Sequence, residues 1–186
     1  MIGCRPLLDG EIDAIVAKLD STRDKCLFIL GIRTGYRISE LLSIKASDVY
    51  QYNGVVDRLN IRRANTKGKV AGQSVALHVQ AKELIAALIA EDGLVAGDFL
   101  FKSRRSSRPI DAVRAYRILR QAVDACNLTG KIATHSMRKT FAKRIYKKLD
   151  RDLIKMRQAM RHKDINSTIA YLSFDQSEID AAILTD

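Results

Sequence analysis

The 186-residue sequence has no tryptophan, only two prolines and only three cysteines, and each shortage narrows what the chain can be. Cys4, Cys26 and Cys126 are odd in number and scattered, with no C-x-x-C pair and no histidine at zinc-ligand spacing, so reduced thiols and no structural metal are expected. No apolar run approaches the roughly 20 residues of a membrane span. The opening residues MIGCRPLLDGE also lack the long apolar core of a secretion signal. A soluble, cytoplasmic protein is therefore expected. Internal repeats, low-complexity stretches and interdomain linkers are missing too, and with 47% hydrophobic residues the sequence reads as one compact domain over 1–186, large enough for an enzyme.

Negative charge is also in short supply. Lysine and arginine number 32 against 21 aspartate and glutamate, a formal charge of +11, and the pI is near 9.8. Such an excess favours a polyanionic partner, because each neutralised phosphate releases condensed counterions. Nucleic acid is the first candidate and a membrane surface the second.

Hydrophobic spacing predicts a mainly α protein with a small antiparallel β-sheet, an α+β class. Ile12, Ile15, Val16 and Leu19 share one helical face between Asp9 and Asp20, with Asp9 as the expected cap. A second apolar stretch, Cys26 to Ile32, runs to Thr34-Gly35, and Ile38 to Ile44 resumes helical spacing, so two helices meet at that glycine. Val55, Val56, Leu59 and Ile61 read as a strand, Asn65 to Gly72 as a Lys- and Gly-rich turn, and Ser74 to Val79 as the returning strand. Helical periodicity returns from Gln80, with one face at Leu84, Ile85, Leu88 and Ile89 and another at Val113, Tyr116, Leu119 and Val123. Between those helices a basic, hydroxyl-rich loop, Lys102 to Arg108, offers Arg104, Arg105 and Arg108 to phosphate oxygens.

Four stretches carry chemistry. In Thr34-Gly-Tyr-Arg-Ile-Ser-Glu-Leu41, Arg37 falls at the first turn of a helix and Glu40, three residues on, is placed to orient its guanidinium. Lys67 and Lys69 sit in the turn between the strands. In His135-Ser-Met-Arg138, which Thr134 can cap, an imidazole and a guanidinium project one turn apart, and Lys139 continues the basic face. Last, His162 ends a helical pattern, Asp164 to Ser167 supply a turn and cap, and Tyr171 follows nine residues after the histidine. Each alone has an ordinary explanation: a surface ion pair, a solubilising turn, helix-surface charge, a core aromatic.

In this order the stretches resemble the catalytic domain of the tyrosine recombinases, the phage integrase family, over about Pro6 to Phe174. The resemblance implies that Arg37 is the first catalytic arginine, supported by Glu40, and that Lys67 is the hairpin lysine, with Lys69 as the alternative. It makes His135 and Arg138 the H-x-x-R pair, His162 the His/Trp position and Tyr171 the nucleophile. Arg161 stands where the family usually has glycine, and either contacts DNA or crowds the pocket. The chain begins where the family's catalytic domain begins, so it is expected either to be a fragment or to belong to the short, single-domain members, which have no N-terminal core-binding domain. The tail, residues 173–186, is an acidic amphipathic segment that packs on its own core or on a neighbouring subunit.

The implied activity is site-specific strand cleavage and rejoining on double-stranded DNA by a homo-oligomer, a tetramer, assembled on DNA, hence nucleoid-associated, without cofactor, metal or ATP. A type IB topoisomerase-like activity and a DNA-binding accessory protein without turnover are the competing readings. Tyrosine, with a pKa near 10, must lose its proton as it attacks, so the charge has to be held by its surroundings. Arg37 and Arg138 suit that task, with Lys67 as the general acid and the histidines donating to or exchanging a proton with the reacting groups.

Overall fold

The computed structural model describes residues 3–52, 54–61, 74–162, 164–169, 171 and 183–184. The chain forms two compact units, Met1–Phe141 and Ala142–Asp186. Lys67, Lys69 and most of the tail lie outside the described residues.

Among the described residues the first unit contains α1 (Asp9–Lys18), α2 (Thr22–Thr34), α3 (Ile38–Leu42), α4 (Ala46–Val49), β1 (Tyr50–Gln51), β2 (Gly54–Val55), β3 (Arg58–Asn60), β4 (Ser74–Ala76), α5 (Val79–Asp92), α6 (Ala112–Ala125) and the start of α7 (Thr134–Lys148). Helix α2 is its centre. From Cys26 to Ile32 every residue is buried, because α3 and α5 both pack against it. A stretch that is apolar on all sides has no solvent face to present, and the charged residues of α2 stand at its two ends. Gly31 lets another segment come close: a Cβ there would sit 2.7 Å from Met137 Sδ.

The sheets are two short antiparallel pairs, β1 with β2 and β3 with β4, the latter in register Arg58 with Ala76, Leu59 with Val75 and Asn60 with Ser74. The single strand expected from Val55 to Ile61 is thus divided at Val56-Asp57, and its first part pairs backward with β1. The return strand is shorter than expected as well, since His78 caps α5 by accepting the Gln80 N–H through Nδ1 (3.2 Å).

Three further expectations are corrected. Helix α1 starts at Asp9 with Leu8 as its cap residue, and Glu11 accepts the Leu8 N–H (2.8 Å) while pairing with Arg5 (2.6 Å). A carboxylate at the third helical position thus does what Asp9 was expected to do. On α6 the buried face is Ala115, Leu119, Ala122 and Val123, whereas Val113 and Tyr116 are exposed. Small alanines permit close packing on α1, and the larger side chains stay at the surface. At the start of α7, Thr134 is already helical, and the Ala133 N–H is satisfied by Ser136 Oγ (3.1 Å).

The second unit comprises the rest of α7, α8 (Leu153–Met160) and α9 (Ile165–Ile169). Asp152 caps α8 by accepting from Ile154 (2.8 Å) and Lys155 (3.0 Å). Helix α9 packs on α8, with Met156, Met160 and Thr168 buried. Among the described residues no helix is long and apolar enough to cross a membrane.

Candidate active site

The segment Thr34 to Leu41 is built to hold an arginine. Thr34 ends α2 with its hydroxyl donating back to Leu30 O (2.6 Å), and Gly35 takes the left-handed conformation, φ +64°, that closes the helix. A side chain at Gly35 would also strike Phe141, with a Cβ 2.7 Å from its Cγ. Buried Tyr36 donates its hydroxyl to Leu59 O in β3 (3.1 Å), tying the turn to the sheet. Arg37 then stands at the cap position of α3, one residue ahead of the expected first turn. Glu40 accepts the Arg37 N–H (2.7 Å) and pairs with its guanidinium (3.2 Å). Only 5% of the Glu40 side chain is exposed, against 34% of the Arg37 side chain. A desolvated carboxylate needs such a partner, and removing either half of the pair would leave an uncompensated charge.

Arg138 reaches the same turn from α7. Its Nη1 donates to the carbonyl oxygen of Gly35, and the residue is 1% exposed. His135, one turn earlier, lies open at the surface. Its pKa is nevertheless lowered, first by partial desolvation of the imidazole and then by the positive charges of Arg138, Lys139 and Arg37. That electrostatic link gathers Arg37, His135, Arg138 and Lys139 into one electropositive cluster and keeps the imidazole neutral below its ordinary range. The first unit thus offers fixed cations together with a neutral proton acceptor.

The second unit by itself holds a different pair. Helix α8 ends at Arg161, whose φ of +59° is left-handed, and the His162 N–H donates back to Arg157 O (3.1 Å). Here lies the physical reason a glycine suits the position of Arg161: the backbone there is one that L side chains rarely adopt. Asp164 Oδ2 accepts the Ser167 N–H (3.2 Å), as the expected cap of α9. Tyr171 follows α9, its N–H donating to Thr168 O (3.0 Å), and its ring lies 5.0 Å from that of His162 at 41°. His162 Nδ1 is 3.0 Å from the hydroxyl of Thr168, a wholly buried residue that sequence reasoning missed. No sequence signal marked it, because Ser167 beside it offers the same kind of hydroxyl and only the structure distinguishes the buried residue from the exposed one.

Arg104, Arg105 and Arg108 are exposed on a tight loop closed by a Lys102–Pro109 bridge and by Ser103 N–H donating to Arg108 O (2.8 Å). Arg104 and Arg105 line a cleft of about 460 Å³ with Arg23, Arg114, Asp20 and Asp24. Among the described residues no group of side chains could hold a metal ion.

The sequence matches the model of the phage integrase family over residues 7–178. It is 32% identical over 160 residues to the probable integrase/recombinase YoeC of Bacillus subtilis, covering 86% of this chain and 82% of that protein. Against the tyrosine recombinase XerH of Campylobacter jejuni it is 27% identical over 168 residues, 89% of this chain but 45% of the relative. The fold is similar to the XerA recombinase crystal structure, with a TM-score of 0.78 at 20% identity, covering 96% of this chain and 62% of that one. It is also similar to the XerH site-specific recombinase bound to palindromic difH substrate in a post-cleavage complex, with a TM-score of 0.77 at 23% identity, covering 97% of this chain and 53% of that one. Family match, fold and the ordered cationic and His–Tyr clusters agree: the chain belongs to the phage integrase family.

Proposed function

We propose that the chain is a site-specific DNA recombinase that cleaves and rejoins strands through a 3′-phosphotyrosine intermediate. What carries this reading is that Arg138 binds the Gly35 carbonyl in the turn that holds Arg37, with His135 one helical turn before Arg138 on α7, although the two segments are far apart in sequence. The 5.0 Å ring contact of Tyr171 with His162 supports Tyr171 as the nucleophile. Solved structures of similar fold bound to DNA support double-stranded DNA as the partner.

In the proposed reaction Tyr171 Oη attacks the scissile phosphorus, the P–O5′ bond breaks, and a 3′-phosphotyrosine bond forms. Arg37 and Arg138 hold the two non-bridging oxygens, and their bidentate contacts strengthen as negative charge builds, so they stabilise the transition state more than the ground state. His162 donates a third hydrogen bond. The neutral imidazole of His135 accepts or relays the tyrosine proton, and Lys67 or Lys69 supplies the proton to the departing 5′-oxygen. A 5′-hydroxyl then attacks the phosphotyrosine and the same steps run in reverse. Because one phosphodiester is exchanged for another of comparable energy, the reaction needs no ATP, and Arg37 and Arg138 supply at the phosphate the positive charge that a metal ion would otherwise give. Arg104, Arg105, Arg108, Lys139 and Arg161 bind DNA phosphates, and exchange between two duplexes calls for a tetramer assembled on DNA.

Nicked or suicide DNA substrates test this reading. A protease-sensitive covalent adduct is expected from the wild type in the presence of a chelator, and none from Tyr171→Phe. Supercoil relaxation without joining of two sites would favour the topoisomerase-like activity instead. Absence of any adduct, with DNA binding intact, would favour the accessory role.

A further inference from the structure

We infer that Thr168 is a positioning residue that holds His162 in the tautomer with its proton on Nε2, and that through its carbonyl it also places Tyr171. The inference rests on the proposed role of His162 as a hydrogen-bond donor to the scissile phosphate. Thr168 is 0% exposed, and its Oγ1 lies 3.0 Å from His162 Nδ1. A buried hydroxyl is costly unless bonded, so the contact is part of what the position is built around. The hydroxyl rotates to suit its partner and can donate to a ring nitrogen that carries no proton. With Nδ1 accepting from Thr168, the neutral imidazole must carry its proton on Nε2, the nitrogen on the far side of the ring, where it can donate to a phosphate oxygen.

Both ends of this arrangement are fixed independently of the ring. The His162 backbone is set by its N–H bond to Arg157 O (3.1 Å), and Thr168 is set in α9, whose start is capped by Asp164. The Thr168 carbonyl accepts the Tyr171 N–H (3.0 Å). One residue therefore binds the histidine with its side chain and the tyrosine with its main chain. The consequence is separable by substitution: Thr168→Val keeps the β-branched shape and the carbonyl while removing the hydroxyl, and Thr168→Ser keeps the hydroxyl.

The test uses the full chain labelled with ¹⁵N-histidine, read by two-bond ¹H–¹⁵N correlation above the His162 titration, beside single-turnover cleavage of a suicide DNA substrate. Wild type and Thr168→Ser should show His162 with Nε2–H. Thr168→Val should show a mixed tautomer population and about a tenfold lower cleavage rate, the size of one hydrogen bond, with unchanged half-saturating DNA concentration. In a His162→Ala background, Thr168→Val should cause no further loss. An Nδ1–H tautomer in the wild type would overturn the inference, as would an equal loss from Thr168→Val with and without His162. If the wild type cuts no substrate, the recombinase reading fails on that arm while the tautomer measurement still decides the role of Thr168.

Discussion

The two clusters are held by different kinds of force. Arg37 and Arg138 are fixed by charge and burial: a desolvated carboxylate on one guanidinium, a backbone carbonyl under the other, and a left-handed glycine shaping the turn between. Tyr171 and His162 are fixed by neutral contacts: a hydroxyl on an imidazole, a ring beside a ring, and a five-residue helix, α9. Charged hydrogen bonds are roughly twice as strong as neutral ones. The difference suits the division of labour proposed for them, because charge building on the phosphate is met best by guanidinium donors already in place, whereas His162 and Tyr171 need to be held in the orientation that donates and attacks.

That contrast can be broken at several points. The largest effect is expected at Gly35. Gly35→Ala combines a left-handed backbone with a clash against Phe141 and should cost about 3 kcal/mol, seen as a lower denaturation midpoint together with lost cleavage. An unchanged midpoint would mean that the turn is not fixed as described. Next comes Glu40→Gln, which keeps the shape but removes the charge that orients Arg37; cleavage should fall roughly tenfold to a hundredfold, about 1.5–3 kcal/mol, with the chain still folded by circular dichroism.

Smaller effects are expected elsewhere. Arg161→Gly relieves a left-handed side-chain residue and should stabilise by about 1 kcal/mol, raising Tm by about 2–4 °C; a fall in Tm would show that the arginine side chain makes a stronger contact than the strain costs. Lys139→Gln removes one of the charges that depress the His135 pKa and should move it up toward the ordinary imidazole value, read by NMR titration. The sign is fixed by linkage. With the folded pKa depressed, the unfolded chain binds the extra proton first, so this group's contribution is present above about pH 6.5 and is lost as pH falls toward the folded pKa. Lys139→Gln should narrow that window.

Much of this was legible because helical periodicity and motif order are local properties of the chain. Apolar spacing alone gives Ile12 and Ile15 on α1 and Ile85 and Leu88 on α5 as buried, though Leu84 and Ile89 are only partly so and Ala81 takes a place on that face. Contacts that depend on distant residues were not legible. Alanines 115 and 122 bury on α6 because α1 comes close, which spacing of large side chains cannot reveal. The division of the expected strand at Val56-Asp57 depends on its pairing with β1. In the site, the Glu40–Arg37 pair was readable from three-residue spacing, whereas the bond from Arg138 to the Gly35 carbonyl joins segments 103 residues apart. Thr168 was missed because a hydroxyl near a helix end usually serves a cap, and only the fold shows it buried against His162.

The division of labour is tested most directly by removing the charge that the arginines are proposed to hold. A methylphosphonate at the scissile position replaces one non-bridging oxygen with an uncharged methyl group. On such a substrate Arg37→Ala should recover most of the cleavage it loses on ordinary DNA, while Tyr171→Phe should form no adduct on either. Equal loss by Arg37→Ala on both substrates, or an adduct formed by Tyr171→Phe, would contradict the account.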